Sequence, residues 1–170
     1  GLRDNKVNID FNGMVGIGTS VPANYSSGAD DLVVYASGSS GITIATGDTT
    51  STVALKFADG TATATENAGF IDYAHNDDTM RFGAANTERM RIEGAGHLRP
   101  GADNAYDLGT ASYRWANLHV ADVQFSNENT GGNEIDGTEG KWSMQEGEDD
   151  MFLINRKSGK RYKLNLTEVI

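Results

Sequence analysis

The sequence predicts an all-β chain of short strands joined by Gly-rich turns, with at most one short helix. Three observations carry that expectation. Short runs rich in Val, Ile, Phe and Tyr recur about every ten residues along the 170-residue chain, the spacing of a β meander. Glycine occurs 21 times against two prolines, so tight turns have the residue they need. Long helix-forming runs with a 3.6-residue period are missing throughout.

Taken in order, residues 7–11 alternate apolar and polar side chains, Asn12-Gly13 is a two-residue hairpin signal, and residues 14–17 resume a strand. The N-terminus therefore reads as a hairpin. Residues 31–35, 41–45, 53–57, 69–73 and 79–82 each read as a strand, separated by Gly, Ser, Asp and Thr. The small residues crowding 37–54 and 58–68 allow close approach of neighbouring chains around an axis, or form loops.

The stretch 88–123 joins an alternating strand, a Gly/Pro turn, an aromatic corner and a second strand. In 89–92 charged and apolar residues alternate, giving one wet and one dry face. Gly94, Gly96, Pro100 and Gly101 then turn the backbone. Beyond Asp107-Leu108-Gly109, Ser112 is placed to cap a brief turn in which Trp115 buries its face. Laid over residues 89–101 at an offset of 83, residues 6–18 match identically at Ile9/Ile92, Gly13/Gly96 and Gly18/Gly101. Lys6/Arg89, Val7/Met90, Asp10/Glu93 and Val15/Leu98 are conservative, so the pattern predicts a repeated module.

Residues 126–140, with Gly-Gly and Asp-Gly turn signals, read as a surface loop or linker. Residues 141–144, 150–155 and 160–166 read as three more strands, the last two turned by Lys157-Ser158-Gly159. A sheet of that size cannot bury its apolar face alone.

Composition narrows the function classes. The net charge of −10 disfavours nucleic acid and anionic membrane as partners, since both demand clustered cations. The basic cluster Arg156, Lys157, Lys160, Arg161 and Lys163 reads as a hairpin tip and a wet strand face. Without cysteine there is no disulfide framework, thiolate metal site or thiol nucleophile. No run of about eighteen apolar residues is available to span a membrane. A hydrophobic content of 38% with a mean hydropathy of −0.46 is lean for a self-contained core, so completion against a partner subunit is expected. The chain begins at Gly1 and is expected to be an excised piece of a longer protein.

Several motifs carry a resemblance. Residues 13–22, GMVGIGTSVP, fit a "G.VGIGT..P" element; the RMRI strand is followed by DLG and YRW; and the C-terminus fits "W.lqEGe..lf.iN..tGK.YK..L.EV" through Trp142, residues 145–148, Phe152, Asn155, Gly159-Lys160, Tyr162-Lys163 and Glu168-Val169. Found in this order, they resemble bacteriophage tail-fibre and tailspike proteins in their C-terminal, receptor-binding region. The resemblance implies an elongated, intertwined, β-prism-like homotrimer, with 1–22 an N-terminal hairpin or shaft module, 23–125 a fibre body, 126–140 a loop or linker and 141–170 a C-terminal sheet. It implies a virion protein, extracellular when assembled, that works with other tail proteins and attaches to a bacterial polysaccharide or outer-membrane protein. In some such fibres a self-cleaving chaperone with a Ser–Lys pair follows the DLG–RW region. Here Ser126-Asn127-Glu128-Asn129 follows without a nearby Lys, which argues against autoproteolysis.

The remaining chemical candidates reduce to simpler readings. Gly16-Ile17-Gly18 begins like a dinucleotide fingerprint, but Val21 stands where the third glycine belongs and no amphipathic helix follows. His75, His97 and His119 show no paired ligand spacing, and the acid pairs 30–31 and 77–78 do not follow a calcium-loop order, so neither metal nor cofactor is expected. Three copies of one His around a threefold axis were the remaining route to a metal. Polysaccharide cleavage needs two carboxylates about 5–10 Å apart, which the sequence does not locate, and the expectation is a binding protein without catalytic residues. Receptor contacts are expected from Tyr25, Tyr73, His75, Asn76, Asp77, Tyr106 and the 126–140 loop, since sugars are held by aromatic stacking with amides and carboxylates. Trp115, Trp142, Tyr113 and Phe152 are the candidates for core or intersubunit contacts.

Overall fold

The structure is a computed structural model and describes residues 7–10, 12–63 and 65–169. Among these, twelve strands form three sheets, with one 3-10 turn at Pro22–Asn24 and no α-helix, so the chain is all-β. It divides into two units, Gly1–Gly101 and Ala102–Ile170. Phe11 of the first expected strand and Lys6 of the repeat lie outside the described residues.

The first sheet of the first unit contains β1 (Val7–Ile9), β2 (Val15–Ile17) and β3 (Leu32–Val34), with β1 antiparallel and β3 parallel to β2. The turn from β1 to β2 is longer than the two-residue Asn-Gly turn that the sequence predicts. Asp10 Oδ1 accepts the backbone N–H groups of Asn12 at 2.8 Å and Met14 at 3.0 Å, and Asp10 N–H donates to Met14 O at 3.1 Å. A carboxylate two residues upstream thus takes the amides that a tighter turn would have used. Gly13, at φ +85°, supplies the left-handed residue that closes it.

The second sheet is a meander of β4 (Thr52–Phe57), β5 (Gly69–Ala74), β6 (Thr79–Ala84), β7 (Thr87–Ile92) and β8 (Leu98–Pro100). Ala85 and Asn86, at φ +51° and +55°, make the two-residue turn between β6 and β7. The register shifts between Phe82 and Gly83, and the Phe70 ring occupies the space that a Cβ at Gly83 would need. Lys56 Nζ lies 4.9 Å from the centre of that ring. Strand β8 falls where the sequence predicts only a turn. Pro100 is tolerated there because β8 is the sheet edge, where a missing N–H leaves no ladder bond broken.

The expected strand at 41–45 does not form. No neighbouring strand pairs with it, and Ile42 and Ile44 are exposed, so its alternation has nothing to ladder against within the chain.

The second unit holds one sheet in the order β12-β11-β10-β9, from β9 (Asp122–Ser126), β10 (Lys141–Glu146), β11 (Met151–Asn155) and β12 (Arg161–Lys163). The 127–140 segment is the connection between β9 and β10, which pair antiparallel. The turn at Lys157-Ser158-Gly159 forms, with Asn155 Oδ1 accepting the N–H groups of Lys157 at 3.0 Å and Ser158 at 2.9 Å.

Cross-strand partners share a face, so the registers sort every strand residue. In the first sheet Val7, Ile9, Val15, Ile17, Leu32 and Val34 share one face. In the second, one face gathers Val53, Leu55, Phe57, Ile71, Tyr73, Met80, Phe82, Met90, Ile92 and Leu98, and the other carries Lys56, Asp72, Arg81, Arg91 and Arg99. In the third, Val123, Phe125, Trp142, Met144, Met151, Leu153 and Tyr162 share a face. Most of each sheet's apolar side chains thus gather on one face, with Val33, Phe70, Phe152 and Ile154 on the opposite ones, and much of the apolar face is open or only half-buried. Val7, Ile9, Leu32, Leu55, Phe57, Leu98 and Phe125 are all exposed. The buried apolar side chains among the described residues are only Val33, Ala74 and Pro22, and the side of the second sheet that shelters Ala74 and Thr79 is the polar one, where Asp72 is buried against Arg81 at 2.7 Å.

The chain exposes 13737 Å². A compact body of 18.2 kDa exposes about 8,100 Å², and two separate compact bodies sharing that mass about 9,800 Å². The excess is surface that the chain leaves open, and apolar sheet residues such as Leu55, Phe57 and Leu98 are part of it.

Candidate functional site

The β5–β6 hairpin brings four of the six expected receptor-contact residues together. Tyr73 and His75 alternate along one side of β5 and its extension, and residues 75–78 turn the chain into β6, with Asp78 at φ +54°. Their rings meet edge to face, centroids 4.9 Å apart and planes at 80°. Tyr73 Oη donates to Asp78 Oδ1 at 2.8 Å, and this bond, aided by desolvation and the charges of Asp78 and Asp77, raises the phenol above its ordinary pKa. His75 N–H is held by Ser51 O at 3.1 Å, while its Nε2 is buried without a hydrogen-bond partner among the described residues. Asn76 and Asp77 are exposed at the tip. The hairpin thus presents an aromatic pair, an amide and two carboxylates within the six positions 73–78.

Tyr25 stands apart from this cluster. It follows the 3-10 turn, with its N–H on Pro22 O at 3.0 Å, and its ring lies 6.4 Å from that of Tyr35. Tyr106 belongs to the second unit, in the segment between Gly101 and β9 that contains no strand.

The aromatic corner in that segment differs from expectation. The capping side chain is Thr110, whose Oγ1 accepts Tyr113 N–H at 3.1 Å while Thr110 N–H donates to Tyr113 O at 2.8 Å; Ser112 takes no part. Threonine at 110 starts the turn because Gly109, at φ +88°, directs the chain into it. Trp115 is 69% exposed and Tyr113 81% exposed, so Trp115 does not bury its face within the chain. The segment has no strand neighbour to receive it. Trp142 and Phe152, by contrast, sit within β10 and β11 and are half-buried, on opposite sides of the sheet.

The 127–140 connection is ordered by its own side chains. Asn133 Oδ1 accepts the N–H groups of Ile135 at 2.8 Å and Asp136 at 3.1 Å, and Asp136 Oδ1 accepts Thr138 Oγ1 at 2.7 Å. The Thr138 hydroxyl, the Thr138 N–H and the Asn133 Nδ2 amide, all donating to it, hold the Asp136 carboxyl below its usual range. Glu128, paired with Lys141 at 3.1 Å and close to Lys157, is likewise lowered. Asn127 ties the loop ends together, donating to Thr138 O at 3.2 Å and accepting Gly140 N–H. At the loop base an open depression of about 710 Å³ is lined by Phe125, Trp142, Gln124, Asn127, Asn133 and Asp136. Trp142 also lies 5.7 Å from the Tyr162 ring. Sequence reading missed Phe125; the Val123/Phe125 alternation before the loop was the signal for its strand.

Among the described residues no group of three or more His, Asp or Glu side chains is arranged to hold a metal ion. No described helix is long and apolar enough to cross a membrane. No protein-family model matches the sequence, and no curated protein or solved structure matches it.

Proposed function

We propose that this chain is a subunit of a homotrimeric bacteriophage tail fibre, carried on the virion, that attaches the phage to a polysaccharide or outer-membrane protein of the host surface. The observation that carries this reading is the uncovered apolar face on each of the three sheets. Soluble monomers rarely leave large apolar faces in water, and a cyclic assembly of identical chains gives such faces and open strand edges a partner. The tail-fibre motifs supply the trimer and the setting. The acid-rich, cation-poor composition fits a binding surface outside the cell better than one for nucleic acid. Attachment is non-catalytic in this reading, and the exposed hairpin tip of Tyr73, His75, Asn76 and Asp77 and the loop-base depression offer the contact chemistry.

Light scattering coupled to size exclusion tests the assembly. The expected mass is three times 18.2 kDa and stable to dilution; a folded 18.2 kDa monomer overturns the trimer. Competition of the purified chain against phage adsorption tests attachment. A trimer that leaves adsorption unchanged is a shaft or baseplate module, and release of reducing sugar from host polysaccharide makes it a depolymerase.

A further inference from the structure

The sheet of the second unit has a second, polar side opposite Trp142 and Leu153, and this side carries a cleft of about 730 Å³. Its floor is Phe152 and Ile154, which alternate on β11. The glycine at 147 leaves room for the Phe152 ring, whose edge would lie 2.8 Å from a Cβ there. Beside the floor, Ser143 is fully buried, and its Oγ accepts Arg156 Nε at 2.8 Å. A buried hydroxyl thereby fixes the direction of an exposed guanidinium, leaving its terminal nitrogens for another partner. Arg161 lies cross-strand from Ile154 and has no ion-pair partner among the described residues. On the far side Gln145 Nε2 donates to Asp122 Oδ2 at 2.7 Å, which orients Gln145 Oε1 and Asp122 Oδ1 as acceptors.

We propose that this cleft binds a carboxylate-bearing sugar unit of a surface polysaccharide. A flat aromatic with an aliphatic neighbour stacks against the C–H face of a pyranose ring, and the Asp122–Gln145 pair accepts its hydroxyls. Two guanidiniums at the rim match the planar geometry of a carboxylate, which takes paired N–H donors. Charge makes the occupant specific. The chain carries −10 overall, yet five of its 14 basic residues fall within 156–163. Two of these, Lys157 and Lys163, are paired with Glu128 and Asp150, whereas Arg156 and Arg161 line the cleft without a carboxylate partner. A neutral sugar would leave both unmatched. The assignment deepens the attachment reading and rests on it for the source of the ligand.

The test titrates the full 170-residue chain, in its solution oligomer, with a hexasaccharide of alternating glucuronic acid and N-acetylglucosamine and with the same hexasaccharide after carboxyl reduction. Calorimetry and backbone NMR are the readouts. Saturable binding with a dissociation constant of about 1 mM or tighter is expected, with shifts at Gln145, Phe152 and Arg161. Arg161→Gln is exposed enough to preserve the fold, which molar mass and circular dichroism verify. It is expected to weaken the acidic probe about tenfold, the scale of one lost charge-assisted hydrogen bond, and to leave the reduced probe unaffected. No saturable binding, or equal binding of both probes, overturns the proposal. Adsorption competition separates it from the attachment reading. If the wild type and Arg161→Gln block adsorption equally and the probe does not bind, attachment stands and the cleft falls. If the probe binds at the cleft and neither protein blocks adsorption, the cleft stands and attachment falls.

Discussion

The hairpins 7–17 and 90–100 are the same object in two settings. Val7↔Ile17, Asn8↔Gly16 and Ile9↔Val15 in the first correspond, at the offset of 83, to Met90↔Pro100, Arg91↔Arg99 and Ile92↔Leu98 in the second. The backbone bonds of the turns match, although the Asp10 carboxylate accepts turn amides while that of Glu93 pairs with Arg99. Asp10 N–H on Met14 O becomes Glu93 N–H on His97 O, Gly13 N–H on Asp10 O becomes Gly96 N–H on Glu93 O, and the two glycines sit at φ +85° and +87°. What differs is the docking. In the first copy the later strand, β2, pairs onward to β3 in parallel; in the second the earlier strand, β7, pairs onward to β6 in antiparallel. The hairpin is thus a local product of its own residues, and the side on which it joins a sheet is set by the chain next to it.

The largest expected effect comes where the copies part company. Gly18 has φ +82° and no room for a Cβ against Tyr35 O, whereas its counterpart Gly101 has an ordinary φ and would crowd the Glu88 carbonyl. Gly18→Ala therefore combines backbone strain with overlap and is expected to cost about 3 kcal/mol or more, with Gly101→Ala about 1–3 kcal/mol. Urea unfolding of both variants checks the order; a reversed order would show that the second hairpin is the more tightly docked.

Gly13→Ala and Gly96→Ala sharpen the likeness. Neither glycine has an atom within 4 Å of a built Cβ, so only the left-handed conformation is penalised. Each substitution is expected to cost about 1–2 kcal/mol, and the two costs to agree within about 0.5 kcal/mol. Unequal costs break the equivalence of the turns.

Acid separates the copies again. Glu93 is paired with Arg99, which lowers its carboxyl below the usual 4.5. A depressed carboxyl contributes stability above its unfolded pKa and loses it as pH falls through the folded value. Hydrogen exchange of the 90–100 amides is therefore expected to accelerate as pH falls below about 4.5, after correction for intrinsic rates. Glu93→Gln should abolish that acceleration. An acceleration that persists in Glu93→Gln assigns the acid sensitivity elsewhere.

The smallest effect concerns the turn that fixes the second docking. Ala85 sits at φ +51°, a conformation that asparagine adopts more readily. Ala85→Asn is expected to stabilise by about 0.5–1 kcal/mol, measured as a shift in the unfolding midpoint. No gain would mean that the turn is held by β6 and β7 rather than by its own residues.

Much of this was legible from sequence because it is local. The alternation in 69–73, 79–82 and 89–92 announced strands that formed, extended by one or two residues where pairing continued. The segment 41–45 shows the limit: Ile42 and Ile44 alternate as well as any strand, but without a neighbour there is no ladder. Strand β8 fails in the opposite sense, because Pro100 reads as turn and only the paired strand reveals otherwise. At the candidate site, Tyr73, His75, Asn76 and Asp77 are neighbours in sequence, so proximity alone put them together. Arg156, Ser143 and Asp122 are not, and nothing in their spacing announces that two strand pairings gather them around Phe152.

By itself the sequence determined the all-β class, the hairpin turns and the two-sidedness of each strand, since these follow from side-chain period, glycine conformation and nearest-neighbour hydrogen bonds. Tertiary structure alone decided which strands pair, on which flank each hairpin docks, and that the three apolar faces remain uncovered in the single chain. Pairing is a contest among edges that all offer the same backbone groups, and its outcome depends on which partners the intervening chain can reach.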